Sequence, residues 1–298
     1  MNFINDENNF LAIEQEYSDY NRSKVVIISA PYEHSVSYGE GAADGPEGII
    51  EASAFVEFYD DEFDRELVFD IGIATAQPID FKGAVDQDAL DLIYNDVKKC
   101  LDDDKFVVTL GGEHTISTAP IKAYFEKYPD MSVLHFDAHS DLREEYEESK
   151  FSHACVMKRV VEFLDPKKLT QVGIRAQCKE ESVFIKESGV NTFYASALRR
   201  GIHGENWQKR IVDTLGDNIY ISFDVDYFDP AIMPATGTPE PDGFLYNETL
   251  EIFREINRQG KKIIGFDIVE LAPMEDLSHP DLTSARLLYK LLNYAFAK

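Results

Sequence analysis

A succession of short apolar runs, VVIISA, FVVTL, MSVLHF, LTQVGI, NTFYA, IYISF and KIIGFDIVEL, constrains the fold of this chain more than any other feature. They are rich in β-branched and aromatic residues and do not alternate with polar ones, which is how strands buried on both faces read. Between them lie DALDLIYNDVKKCL, ISTAPIKAYFEKY, HACVMKRVVEFL, NWQKRIVDTL, ETLEIFREINRQ and SARLLYKLLNYAF, each with apolar residues near i, i+3 and i+4. Strands that alternate with amphipathic helices build a parallel sheet with helices on both faces, so an α/β fold is expected. No low-complexity tract or internal repeat interrupts the pattern. Residues 23–298 are expected as a single domain, and the polar, tyrosine-containing residues 1–22 as an arm on the surface or at a subunit contact.

Charge narrows the partners. The 298 residues carry 55 acidic and 29 basic side chains, a formal charge of −26. That field repels a phosphate backbone and attracts cations, which argues against nucleic acid and for a cationic small molecule. Cys100, Cys155 and Cys178 are widely spaced and form no CxxC pair, so they suggest free thiols and a cytoplasmic location. The amino terminus has no basic or apolar leader pattern, and no segment approaches about 18 uninterrupted apolar residues, so membrane insertion is not expected.

Ligands of open α/β sheets gather at the carboxyl ends of strands. MSVLHF runs directly into Asp137, His139 and Asp141, whose i, i+2, i+4 spacing puts them on one face of an extended chain. IYISF is followed by Asp224 and Asp226 with the same spacing. FVVTL ends in Gly111 and Gly112, which permit a tight turn before Glu113 and His114. Any one of these segments alone can be a solvated turn. Together they bring four aspartates and two histidines to one sheet edge, where carboxylate repulsion is costly unless cations sit among them. Six such ligands suit two metals, and carboxylate with imidazole but no thiolate favours Mn²⁺ over structural zinc. His135 shares the parity of Asp137 but lies deeper in its strand, and reads as a core histidine.

GGEHT, FDAHSD, SFDVDYFDPAIMPATGTPEPDG and GFDIVELAP, in this order and spacing, resemble the ureohydrolase family of arginases and agmatinases, agmatinases more closely. The resemblance runs from roughly Val25 to the carboxyl terminus and includes YGEGAADGPEGI as a looser match. It implies a three-layer αβα arginase-like fold, two Mn²⁺ per subunit held by His114, Asp137, His139, Asp141, Asp224 and Asp226, and a homo-oligomer, trimeric or hexameric. It also implies that His153 shuttles a proton and that Glu270 binds the guanidinium, with Thr238 near the same end of the substrate. Glu113 stands where many relatives carry aspartate.

The expected reaction is hydrolysis of agmatine to putrescine and urea. The stretch between Asp141 and His153 lacks the serine- and asparagine-bearing loop with which arginases hold an amino acid, and its Glu144, Glu145, Glu147 and Glu148 suit an ammonium tail. Arg143 and Lys150 keep a carboxylate tail open, as in guanidinobutyrate, formiminoglutamate or arginine. A non-catalytic metal-binding regulator is the reading of another class. Asp229 and Asp267 are expected to buttress the ligands.

Overall fold

The apolar runs become strands because β-branched side chains pack well on a pleated surface covered on both sides. The structure, a computed structural model, describes residues 1–4 and 7–297. Its main strands are β1 (Val25–Ala30), β2 (Ile73–Thr75), β3 (Phe106–Gly111), β4 (Ser132–Phe136), β5 (Leu169–Ile174), β6 (Asn191–Tyr194), β7 (Asn218–Asp224) and β8 (Lys262–Val269). Among the described residues these form one eight-stranded sheet in the order β2-β1-β3-β8-β7-β4-β5-β6, parallel throughout.

Alternate residues of β1 feed two cores. Val25 and Ile27 pack with the helices Gly45–Ser53, Tyr246–Arg258 and His279–Ala295. Val26 and Ile28 pack with Asp86–Asp102 and Thr118–Lys127 on the opposite face. The three layers are therefore helix, sheet, helix.

Strand order positions the site. After β3 the chain skips two positions before entering β4, and the gap is filled later by β7 and β8. Phe136 of β4 lies beside Phe223 of β7, and Val269 of β8 beside Asp224. The residues that follow β3, β8, β7 and β4 thus emerge side by side at one edge, at the switch in chain direction where open sheets bind ligands.

HACVMKRVVEFL is not one helix: a 3₁₀ turn, His153–Cys155, leads into a short helix, Val156–Val160. Ser152 caps the turn from its side-chain oxygen, and the β-branched pair Val160 and Val161 stands where the helix stops. The segment expected as an arm lies against the first strands. Phe10, Leu11 and Ile13 are buried, Phe10 N–H donates to Thr75 Oγ1 and Leu11 N–H to Ser53 Oγ.

Candidate metal centre

The six residues chosen from spacing meet at the carboxyl edge. β4 ends at Phe136, so Asp137, His139 and Asp141 do not share a strand face; they lie on a loop that Asp141 turns back through a left-handed backbone, φ 53°. His114 Nδ1 lies 3.1 Å from Asp137 Oδ2, 3.1 Å from Asp141 Oδ2 and 3.3 Å from Asp224 Oδ2. His139 Nδ1 lies 2.8 Å from Asp226 Oδ2 and 3.5 Å from Asp137 Oδ1. Asp137 belongs to both groups, one oxygen facing each.

The hydrogen bonds around His114 test whether this is a cation site. Buried Asp267 accepts from Ser117 Oγ and Ser222 Oγ at 2.9 Å each and from the Tyr220 hydroxyl at 2.8 Å. Ser222 spends its hydrogen on Asp267, so it accepts from His114 Nε2, 3.0 Å away. Nδ1 is left facing three carboxylate oxygens, buried and with no hydrogen-bond partner. Positive charge is what that point lacks, and divalent cations on carboxylate and imidazole donors fit it.

The titration behaviour agrees. Burial pushes the Asp141 carboxyl up to about 7, with the charge of Asp137 adding. Burial, then Asp226 and Asp137, drive Asp224 well above the usual carboxylate range. Burial opposes charging of His114 and His139, but the surrounding carboxylates outweigh it and hold both imidazoles well above the usual histidine range. Protons thus do the compensating that metal would do in their place.

His135 is fully buried against this cluster. Gln171 donates from Nε2 to the Ser140 carbonyl, 2.7 Å, and to His135 Nδ1, 3.1 Å. The proton of His135 is then on Nε2, which donates to Asp137 Oδ2 at 2.8 Å. Neither nitrogen has a lone pair left for a metal, so His135 orients Asp137.

Glu270 follows β8 in a left-handed conformation, φ 66°. Its N–H donates to the Gly112 carbonyl, 2.8 Å, and its Oε1 accepts from His114 N–H, 2.6 Å, which locks it to the turn carrying the ligand. Gly112 must be glycine, since a Cβ there would lie 2.1 Å from the Tyr32 carbonyl oxygen. Enclosure pushes the Glu270 carboxyl up to about 8, and the charge of Glu113 adds to it. Glu270 and Thr238 line a narrow crevice with His153. A wider cleft of about 350 Å³ is lined by His153, Thr238, His139 and Asp141. Burial lowers the His153 imidazole below the usual histidine range.

The Arginase family's sequence model matches residues 23–295. The chain belongs to the arginase family. It is 36% identical over 283 residues to the N(1)-aminopropylagmatine ureohydrolase of Synechocystis, covering 93% of this chain and 90% of that one. Against the agmatinase of Bacillus cereus it is 37% identical over 273 residues, 90% of each chain. The crystal structure of the agmatine ureohydrolase of Thermoplasma volcanium superposes with a TM-score of 0.82 at 28% identity, covering 93% of this chain and 92% of that one. The α/β fold is thus the arginase fold, and the buried His/Asp cluster is a group of side chains that could hold metal ions.

The mouth of this arginase-family cleft departs from the expectation drawn on the acidic loop. Glu144 pairs with Lys158 and Arg159, each at 3.2 Å, and Glu145, Glu147 and Glu148 are exposed and do not line the cleft. The outer carboxylates that do are Glu181 and Glu240. Glu181 is occupied, accepting from Leu142 N–H and Cys178 N–H. Arg143 lines the cleft, stacked over Tyr146, whereas Lys150 lies over Phe151 outside it. Asp267 buttresses His114 as expected; Asp229 instead ties down the backbone N–H groups of Ala231 and Gly243. Spacing missed Ser35 and Ser37, whose hydroxyls contact His153, and gave no role to Glu113, which accepts from Ser35 Oγ.

No helix among the described residues is long and apolar enough to cross a membrane.

Proposed function

We propose that this chain hydrolyses the guanidinium group of agmatine to putrescine and urea. The carrying observation is the pair of carboxylate–imidazole groups sharing Asp137, of which His139 and Asp141 line a cleft with His153 and Thr238, the two residues that also line a narrow crevice with Glu270. His114, Asp137, Asp141 and Asp224 would hold one Mn²⁺, and Asp137, His139 and Asp226 the other. Bound there, two Mn²⁺ supply Lewis acidity that lowers the pKa of water toward about 7.

The chain's own residues do the rest. Glu270 Oε1 is engaged by His114 N–H, so Oε2 is the oxygen left to pair with the guanidinium and aim its central carbon at the cluster. The approaching cation favours the charged form of this carboxylate despite its enclosure. Thr238 borders the same crevice and offers a hydroxyl to the guanidinium. His153 hands a proton from Nε2 to the leaving amine as the C–N bond breaks. Glu240 at the outer cleft faces the ammonium tail.

The aminopropylagmatine relative supports a second reading, the same chemistry on a longer polyamine tail. Urea release from Mn²⁺-loaded protein decides between them, with agmatine, N(1)-aminopropylagmatine, arginine and guanidinobutyrate compared side by side, and formamide release from formiminoglutamate beside them. Agmatine is expected to give the highest kcat/KM. A higher value for any other substrate replaces agmatine, and turnover of none sinks the reading.

A further inference from the structure

His153 stands at the end of a hydrogen-bonded chain that starts on Glu113. Glu113 is buried. Its Oε2 accepts from His34 N–H, 2.7 Å, and Ser35 N–H, 2.6 Å, and its Oε1 accepts from Ser35 Oγ, 2.9 Å. The hydroxyl of Ser35 has one hydrogen, and the carboxylate takes it. What remains on Ser35 Oγ is acceptor capacity, and two groups use it: His153 N–H at 3.0 Å and His153 Nδ1 at 3.1 Å. An Nδ1 without a proton would set lone pair against lone pair. Nε2, with Ser37 Oγ at 3.3 Å, is then the basic nitrogen.

We propose that Glu113, acting through Ser35, is a positioning residue that fixes His153 in the Nδ1–H tautomer, so that Nε2 is the atom that gains and gives up the proton during turnover. The inference rests on the reading of His153 as the proton carrier; its geometry does not depend on the substrate.

The sharpest variant is Glu113→Gln. The two backbone donors hold the amide oxygen in the place of Oε2, so the NH₂ group takes the place of Oε1 and donates to Ser35 Oγ. Ser35 must then point its hydrogen at His153 Nδ1, and the imidazole proton moves to Nε2. The polarity of the whole chain reverses with almost no change in shape.

The tautomer is read by nitrogen NMR on ¹⁵N-histidine-labelled protein loaded with diamagnetic Cd²⁺, with the His153 signals assigned by their absence from His153→Asn. Wild type is expected to show the proton on Nδ1, and Glu113→Gln to show it on Nε2. With Mn²⁺ and the preferred substrate, kcat of Glu113→Gln is expected to fall about 10²-fold while KM changes less than about threefold. Ser35→Ala removes the same link from the other side and decides the case if Glu113→Gln does not fold. It should lose kcat in the same way, and Ser35→Thr, which keeps the hydroxyl, should restore most of it. An Nε2–H tautomer in wild type, or wild-type kcat in both Glu113→Gln and Ser35→Ala, overturns the proposal. Absence of turnover with every guanidino or formimino compound would defeat the proposed reaction and leave the tautomer result standing.

Discussion

Among single residues, Asp137 carries the most. It faces His114 with one oxygen and His139 with the other, while His135 donates to it from behind. Asp226 reaches only the His139 side through its Oδ2 and supports the loop with Oδ1, which accepts from Ala138 N–H at 2.9 Å. Asparagine at the two positions should therefore differ in metal count. Asp137→Asn is expected to hold little Mn²⁺ and Asp226→Asn about one ion per chain, with kcat down at least about 10³-fold in both. Elemental analysis after gel filtration measures the count; wild-type content in Asp137→Asn with activity intact would remove it from the ligand set. These residues were legible in the sequence because neighbours two apart follow apolar runs. Their supports were not. Ser35 and Glu113 are 78 residues apart in the chain, and Ser222 and Asp267 are 45 apart; no spacing rule links a serine to a carboxylate at such distances.

Secondary-structure elements were legible in proportion to the length of pattern they carry. β1 and β5 coincide with VVIISA and LTQVGI end to end. β2, three residues at the sheet edge, is too short to show a period. The helix Lys179–Ser188 buries little along its length besides Glu181 and Ile185, so it lacks the apolar stripe by which a helix is recognised. The first residues read as an arm because their one apolar run, from Phe10 to Ile13, is only four residues long and is flanked by polar ones. Their burial nevertheless ties this segment to β2 and the helix Gly45–Ser53. Phe10→Ala is expected to cost about 3–5 kcal/mol. Urea denaturation measures it, and a loss under about 1 kcal/mol would mean that the segment contributes little to stability.

At the scale of the molecule, the cluster couples folding to metal and pH. His114 and His139 titrate above the usual histidine range in the folded chain, so their contribution to stability is complete at low pH and fades as pH rises. Asp141, pushed up to about 7, and Asp224, also raised, bind protons on folding and act in the same direction. Asp137 is held well below the usual range by His135 and His114 against the cost of its burial, and its opposite effect falls below about pH 4. Metal-free protein should thus lose stability between pH 6 and 8, while Mn²⁺ binds more tightly as its ligands deprotonate. The difference in Tm between Mn²⁺-loaded and chelator-treated protein is expected to widen by about 5 °C or more over that range in thermal scans. A constant or shrinking difference would contradict the assignment of these residues to the metal.

The order β2-β1-β3-β8-β7-β4-β5-β6 also fixes when the molecule can become itself. Synthesis delivers two half-sheets, one ending on β3 and the other on β4, each with an open edge facing the place where the other belongs. The wedge that joins them spans residues 218–269 and is synthesised after both. Until it inserts, His114 and Asp137 sit on separate half-sheets and there is no centre to load. A nascent chain of this protein therefore exposes two adhesive edges from the completion of β4 onward, with no metal to hold them together, which makes the interval before β7 and β8 emerge the time of greatest risk for mispairing.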